Sequence, residues 1–331
     1  MNAAVRPGPR SVDAVDLSVS IGGLRLRNPV MPASGTFGEG LGKALDFSRL
    51  GAFVTKTVTR ELRAGNPLPR VVERPSSLIN AIGIPSRGVP YFIAQTMPHY
   101  AAFDTPLVVS ISAPTAEGFA SLAAELSIPG IAAIEANISC PNIEEDGKAF
   151  AMRAESTERV TRLLRAATEL PVWVKLTPNT GDVPEVARAA EAAGADAVVV
   201  ANTILSMAID LKTFKPCLGN IMGGLSGPAI KPIVLRQVFQ CAKAVTIPII
   251  GCGGIATAED AVEYMLAGAS AVQVGTATFL QPAAMTTIID DLAAFCLHRE
   301  IPRVTDLIRG VVIEEADEPD QIGRASCRER V

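Results

Sequence analysis

Apolar and polar positions alternate through Leu17-Ser18-Val19-Ser20-Ile21, pause at Gly22-Gly23, and alternate again through Leu24-Arg25-Leu26-Arg27. Two alternating runs around a two-glycine turn predict a β-hairpin. Downstream the pattern changes to short apolar runs rich in β-branched residues. They lie at Pro29 to Ala33, Ala52 to Lys56, Leu107 to Ile111, Ala132 to Ile138, Val172 to Leu176, Ala197 to Ala201, Ile247 to Gly251 and Ala271 to Val274. Between them, apolar residues at helical spacing predict helices over Glu117 to Leu126, Glu155 to Thr168, Val183 to Ala193, Pro232 to Ala244, Ala258 to Ala267 and Pro282 to Leu297. Cap-like residues open several of these, as Thr257 with Asp260 or Asp182 with Glu185, and glycine stops them, as at Gly194 and Gly268.

Strands apolar on both faces, alternating with helices, form a parallel sheet buried on both sides. Eight such units over about 250 residues predict an α/β fold of the (β/α)8 TIM-barrel class, with ligand groups at the C-terminal ends of the strands. A doubly wound sheet is the alternative, but no G-x-G-x-x-G follows the first strand. The hairpin precedes the barrel and is expected to cover one end. Thr57 to Tyr91 and Asn202 to Lys231 exceed ordinary βα loops, leave from the catalytic face, and are expected to be functional. The domain reading is a flexible N-terminus over 1–16, one barrel over 17–315 and a disordered tail over 316–331. Ile322 to Val331 read like an in-frame translation of a sequencing adapter and are set aside as non-native; without their three arginines and one glutamate the net charge moves from −4 to −6.

A hydrophobic content of 48% with 19% charged residues fits a globular chain with much buried strand. No apolar stretch reaches the roughly 18 residues of a membrane span. Met1 to Arg10 carries two arginines with no apolar segment behind them, so a cytoplasmic location is expected. Scattered lysines and arginines at a net charge of −4 leave no footprint for nucleic acid. The six cysteines include no C-x-x-C pair and no metal-ligand spacing with His99 and His298, so they read as reduced thiols, with no metal or iron-sulfur site in this chain.

Each predicted strand ends in something polar or small: Ser34-Gly35, Lys56-Thr57, Ser110, Asn137 to Asn142, Lys175, Asn202-Thr203, Gly253-Gly254 and Gly275-Thr276. Loop onset explains any one of these. It does not explain lysines inside apolar strand sequence, because a buried ammonium needs a polar or anionic partner. The densest set is Asn137-Ile138-Ser139-Cys140-Pro141-Asn142, whose amides, hydroxyl and thiol can hold a planar polar ligand beside one titratable group. Taken alone, the hexapeptide also reads as a strand-to-loop turn with Cys140 as a small core residue. Glycine-rich turns after the last two strands, Gly251-Cys252-Gly253-Gly254 and Gly275-Thr276-Ala277, suit a phosphate.

With Ala33-Ser34-Gly35, Thr55-Lys56-Thr57, Asn80-Ala81-Ile82-Gly83-Ile84-Pro85, Val174 to Asn179, Ala201-Asn202-Thr203, Gly223 to Pro232 and these motifs in order, the chain from Leu17 to about Glu315 resembles class 1 dihydroorotate dehydrogenases, flavin enzymes of pyrimidine biosynthesis. The resemblance implies FMN, its phosphate on Gly253, Gly254, Gly275 and Thr276, with further contacts from Ser34, Lys56, Thr57, Ser110, Asn137, Lys175, Val200 and Gly227. It implies that Lys56, Asn80, Ala81, Ile82, Gly83, Ile84, Asn137, Asn142, Asn202 and Thr203 hold the orotate ring and its carboxylate. Cys140 matches the family's base, which takes the C5 proton of dihydroorotate while hydride passes from C6 to flavin N5. A thiol is a usable base near neutral pH, and the membrane-associated class carries serine there, so cysteine points to the soluble class. Lys175 would favour the anionic character of the reduced ring.

Met207-Ala208-Ile209-Asp210, Lys215-Pro216, Gly223 to Pro232 and the acidic loop after Asn142 are similar to the NAD-linked class 1B. That type implies a partner subunit carrying FAD and a 2Fe-2S cluster, around a homodimer core in a heterotetramer. Two departures stand out. Ser110 occupies a place where the class usually has a flavin-contacting asparagine, so a weaker or water-mediated contact is expected there. Ile84 to Gly88 also differs from the usual substrate-loop wording. Competing readings are the fumarate-linked class 1A, a uracil- or thymine-reducing barrel like that of dihydropyrimidine dehydrogenase, a flavin-free phosphate-binding isomerase barrel and a non-catalytic flavoprotein scaffold. Lys56 as a carboxylate partner argues against the second, and the isomerase leaves both strand lysines idle. His99, His298 and Trp173 match no functional position and read as structural.

Overall fold

The computed structural model describes residues 15–139 and 149–313. The expected flexible N-terminus (all but its last two residues), the tail, Cys140 and Asn142 therefore lie outside the described residues. Eight short strands form one parallel sheet: Val30–Pro32, Phe53–Val54, Leu107–Ile111, Ala133–Asn137, Val172–Lys175, Ala197–Val200, Ile249–Cys252 and Ala271–Val274. The sheet runs first, eighth, seventh and so on down to second, so every strand lies beside its neighbours in sequence and the first pairs with the last. The ring closes between the first and second strands through the Gly51 N–H, which donates to the Val30 carbonyl at 2.9 Å. Only glycine fits at that join, since a β-carbon on Gly51 would stand 2.2 Å from the Asn28 carbonyl oxygen.

Period-two alternation divides the strand residues into two layers. Met31, Val54, Val108, Ala133, Trp173, Val199 and Ile250 fill the interior, whereas Val30, Phe53, Val109, Ile134, Val172, Val198 and Ile249 pack outward under the helices. The hairpin forms as expected, Val19–Ile21 against Leu24–Leu26, with positive φ at both Gly22 and Gly23. Its Val19, Ile21 and Leu26 join the interior cluster, and Gly22 lies against Asp196, just ahead of the sixth strand. The hairpin thus plugs the N-terminal mouth and leaves the opposite mouth for chemistry.

All six expected helices are present, from Ala116–Glu125 to Ala284–His298. Thr257 and Asp260 form a capping box, and Asp182 caps the helix Val183–Ala192 by accepting from the Glu185 N–H at 2.9 Å. One helical segment escapes the sequence pattern. Val89–Tyr91, a π-type turn at Phe92–Thr96 and Met97–Ala101 run on continuously between the second and third strands. Proline usually breaks a helix, but Pro90 sits in the first turn, where no donor is needed, and the widened turn ends at Thr96, two residues before Pro98.

The two long segments are not mere loops. Ile204–Met207, Met222–Ser226, Ser77–Asn80 and Val71–Arg74 make a four-stranded antiparallel sheet in that order, joining the segment after the second strand to the one after the sixth. Asn80 lies opposite Gly224 in this pairing. Small residues permit the close approach: a β-carbon on Gly224 would overlap Thr203 Oγ1 at 1.9 Å, and one on Gly223 would reach the Asn80 carbonyl oxygen at 2.6 Å.

Candidate active site

Each functional side chain is placed by strand parity. Asn137 and Lys175 are register partners on the fourth and fifth strands, and both sit on the inward face, two residues beyond the interior residues Glu135 and Trp173. Lys175 is almost wholly buried, and its ammonium donates to Gln273 Oε1 at 2.9 Å and to Ser34 Oγ at 3.3 Å, with Glu135 Oε1 at 3.9 Å. Gln273 in turn donates from Nε2 to Glu135 Oε2 at 2.5 Å. The partner required by a buried lysine is therefore a carboxylate and an amide within the barrel. Cys252 lies beside the same ammonium; burial pushes its thiol up while Lys175 pulls it the other way.

Above this layer runs a chain of hydroxyls and amides. Ser110 Oγ and Thr57 Oγ1 stand 3.0 Å apart, and Asn137 Nδ2 donates to Thr57 Oγ1 at 3.2 Å. Asn137 Oδ1 accepts from Ser139 Oγ at 2.7 Å and from Asn202 Nδ2 at 3.4 Å, and Asn202 Nδ2 also reaches Ser139 Oγ at 2.5 Å. Asn202 Oδ1 accepts from the Thr203 N–H at 2.8 Å, while Asn179 Nδ2 donates to the Thr203 carbonyl at 3.1 Å. Four loops are tied together by this chain at the C-terminal mouth. Ser110 is fully buried in it, so its hydroxyl works inside the protein by holding Thr57.

The last two strands end in exposed backbone donors. The N–H groups of Gly253, Gly254, Gly275 and Thr276 donate to no acceptor among the described residues, an arrangement that suits an anion. Gly254 has φ +73°, and a β-carbon there would meet the Gly227 carbonyl oxygen and Lys231 Cβ, both at 2.9 Å. Tyr264 Oη donates to the Gly253 carbonyl at 2.6 Å and fixes the turn from behind. Thr276 Oγ1 donates to Ser226 Oγ at 2.8 Å, linking this cradle to the accessory sheet. At Gly275, by contrast, a β-carbon would make only ordinary contacts of 3.4 Å or more at an unrestricted φ, so the protein's own packing does not demand glycine there.

Two expectations change. Lys56 is not a buried strand lysine: the second strand ends at Val54, and Lys56 is an exposed side chain on the wall of a cavity of about 580 Å³ shared with Arg63, Arg87 and Tyr91. Enclosure by the cavity walls, and then the charge of Arg70, hold its ammonium below the ordinary lysine value. Val200 is fully buried but faces outward into the helix layer with Val198 and Val234, so only its backbone can meet a ligand. In the Asn80 to Ile84 segment, expected from the sequence to meet substrate, Asn80 Nδ2 donates to the Gly224 carbonyl at 3.3 Å, Gly83 has φ +77° against Asn66, and Ile84 takes φ +49°. A β-branched residue in that region is strained, and such strain concentrates at functional loops. Ala81 and Ile82 lie on the same segment; Gly227, at φ +100°, opens the turn between the accessory sheet and the helix Lys231–Ala244.

The structure adds Glu135, Gln273 and Asn179 to the residues expected at the site. Glu135 and Gln273 carry the same signal that exposes Lys175, a polar residue inside a run otherwise apolar. Asn179 ends the Val174 to Asn179 motif, and Ser139 supplies the hydroxyl expected of the hexapeptide.

Comparison with known proteins agrees with this geometry. A family model described as dihydroorotate dehydrogenase matches residues 16–296. A relative from Desulforamulus reducens, named dihydroorotate dehydrogenase B (NAD(+)), catalytic subunit, is 49% identical over 297 residues, covering 89% of this chain and 98% of that protein. Proteins of the same name from Pelobacter propionicus and Geotalea uraniireducens are 48% and 47% identical over 296 and 300 residues, with 88% and 90% of this chain and 97% and 98% of theirs covered. Matched from the hairpin to the last barrel helix, and aligned end to end with relatives at close to half identity, the chain belongs to the dihydroorotate dehydrogenase family.

Proposed function

We propose that this chain is the catalytic subunit of an NAD-linked, class 1B dihydroorotate dehydrogenase, oxidising dihydroorotate to orotate in pyrimidine biosynthesis. The observation that carries the reading is the polar chain Ser110–Thr57–Asn137–Ser139–Asn202–Thr203 lying over a buried, ion-paired Lys175 at the open mouth of the barrel. Its amides can satisfy the edge of a pyrimidinedione, and Lys56 on the neighbouring cavity wall can pair with a carboxylate. FMN, when bound, supplies the two-electron acceptor for the substrate's hydride. The residues present fit it: the free N–H groups of Gly253, Gly254, Gly275 and Thr276 would hold its phosphate, and Ser34, Thr57, Asn137 and Lys175 would line its ring. Lys175 places a fixed positive charge where negative charge develops during the reaction. Cys140, which follows Ser139 in the chain, takes the substrate's C5 proton. A partner subunit bearing FAD and a 2Fe-2S cluster, in a heterotetramer built on a homodimer of this chain, would carry the electrons on to NAD; the names of the relatives support the NAD link and the subunit role.

The test is anaerobic mixing of purified protein with dihydroorotate while the visible flavin band is followed, with a Cys140→Ser variant alongside. Rapid bleaching that slows in the variant by roughly a hundredfold or more is the expected result. A yellow protein that dihydroorotate leaves unbleached overturns the substrate, and a colourless one overturns the flavin. Fast reoxidation by fumarate without a partner would overturn the NAD link.

A further inference from the structure

The fourth barrel strand buries a carboxylate in an interior that is otherwise largely apolar. Glu135 is fully buried and stands on the inward face between Ala133 and Asn137. Its Oε2 accepts from Gln273 Nε2 at 2.5 Å across the barrel, because the fourth and eighth strands lie on opposite sides of the ring. Its Oε1 makes no hydrogen bond among the described residues and faces Lys175 Nζ at 3.9 Å. A buried carboxylate with one oxygen short of a donor weakens a fold, and apolar side chains would pack the same space at less cost. Folding alone therefore gives little reason for Glu135.

We propose that Glu135 is a positioning residue for Lys175: by its own charge and through the amide of Gln273 it holds the ammonium, protonated and fixed in direction, at the base of the active site. The inference rests on the assignment of Lys175 to the flavin ring made above. In an apolar interior an ammonium tends to shed its proton, and a carboxylate within about 4 Å opposes that loss. The Gln273 amide is oriented by the same pair, since Nε2 can only donate to Glu135 and Oε1 can only accept from Lys175. Ser34 Oγ at 3.3 Å adds to the hold, and Cys252 is a further titratable group beside the ammonium. None of these groups needs to touch substrate for the charge at Lys175 to depend on them.

The experiment compares wild-type holoenzyme with Glu135→Gln, Glu135→Asp and Gln273→Leu. The midpoint potential of bound FMN, the rate of flavin reduction by dihydroorotate and the FMN dissociation constant are measured, and side-chain nitrogen NMR of lysines follows the Lys175 proton in FMN-free protein. Glu135→Gln is expected to release the Lys175 proton about one pH unit lower, and, at a pH between the wild-type and variant titrations of that lysine, to keep FMN and an unchanged KM for dihydroorotate, to reduce flavin about tenfold more slowly and to shift the potential negative. Glu135→Asp should recover much of each change, and Gln273→Leu should follow Glu135→Gln in direction. Wild-type values in Glu135→Gln overturn the proposal, as does a loss of folding or FMN that leaves the potential and the lysine titration unmoved in Gln273→Leu. The lysine titration needs neither flavin nor substrate, so failure of the functional assignment, seen as wild-type protein that dihydroorotate does not bleach, is told apart from failure of this one.

Discussion

The barrel interior and the accessory sheet invert each other's polarity. Inside the barrel Glu135, Lys175, Gln273 and Ser110 are buried among alanine, valine and isoleucine, each engaged by a neighbour. On the accessory sheet Leu205 and Met222 are exposed, and Leu211 and Phe214 stand out at 79% and 83% on the small hairpin Ile209–Asp210 with Lys215–Pro216. The two departures carry different costs. A polar group in a core must be paired or the fold suffers, whereas an apolar group at the surface leaves the fold nearly indifferent and matters to whatever meets it. Mutation should therefore separate the two regions by the size of its effect on the isolated chain.

The strongest break is Trp173→Ala. Its indole is fully buried in the interior and its Nε1 makes no hydrogen bond among the described residues, so the side chain contributes by packing. A loss of about 3–5 kcal/mol in unfolding free energy is expected in denaturant titration. Gly254→Ala comes next. The φ of +73° and the 2.9 Å approach to the Gly227 carbonyl make any β-carbon costly, about 1–2 kcal/mol from the backbone alone, and FMN affinity measured by fluorescence titration should fall by at least about tenfold as the cradle shifts.

A pH effect sharpens the contrast at the cavity wall. The Lys56 ammonium lies below its usual 10.5 in the folded protein, so between that lowered value and 10.5 the unfolded chain binds the proton that the folded chain has lost. Folding stability attributable to Lys56 therefore rises with pH across this window. Substrate affinity moves the opposite way, because a carboxylate wants the protonated lysine. KM for dihydroorotate should climb as pH rises through the lowered value, starting below 10.5, and a Lys56→Met variant should show a high KM without that climb. The smallest effect belongs to Phe214→Ser, expected to change unfolding free energy by no more than about 0.5 kcal/mol in the same denaturant assay. A larger loss there would erase the distinction between the two regions.

How much of this was legible depended on the range of the interaction. Ala271–Val274 and Leu107–Ile111 appear in the structure with the bounds their apolar runs predict, because burial on both faces is a local property of the sequence. The helix Ala258–Ala267 does too, since its capping box and terminal glycine lie within a few residues of it. The accessory sheet is hidden because its central pairing, Asn80 with Gly224, spans more than a hundred residues, and Met222–Ser226 carries glycines where alternation should show. Lys56 departs from expectation because two residues decide whether a side chain lies within a strand or beyond it. Val200 could have been placed by parity: Val199 is the register partner of Lys175, which faces inward, so the next residue faces the helices. Glu135 and Gln273 are legible by the test that singles out Lys175, since each is a polar residue in an apolar run and must find a partner.

The seam of the barrel has a consequence for the order in which the protein can be made. Val30–Pro32 emerges first among the barrel strands, yet its ladder partner is Ala271–Val274, the last of them. The second strand offers it the Gly51 amide and no ladder among the described residues. At about 5–20 residues per second, the opening strand waits on the order of ten seconds or more on the ribosome for that partner, its apolar edge unpaired. Until then the hairpin next to it, whose own pairing is complete by Leu26, is the one piece of the interior plug that can already be in shape.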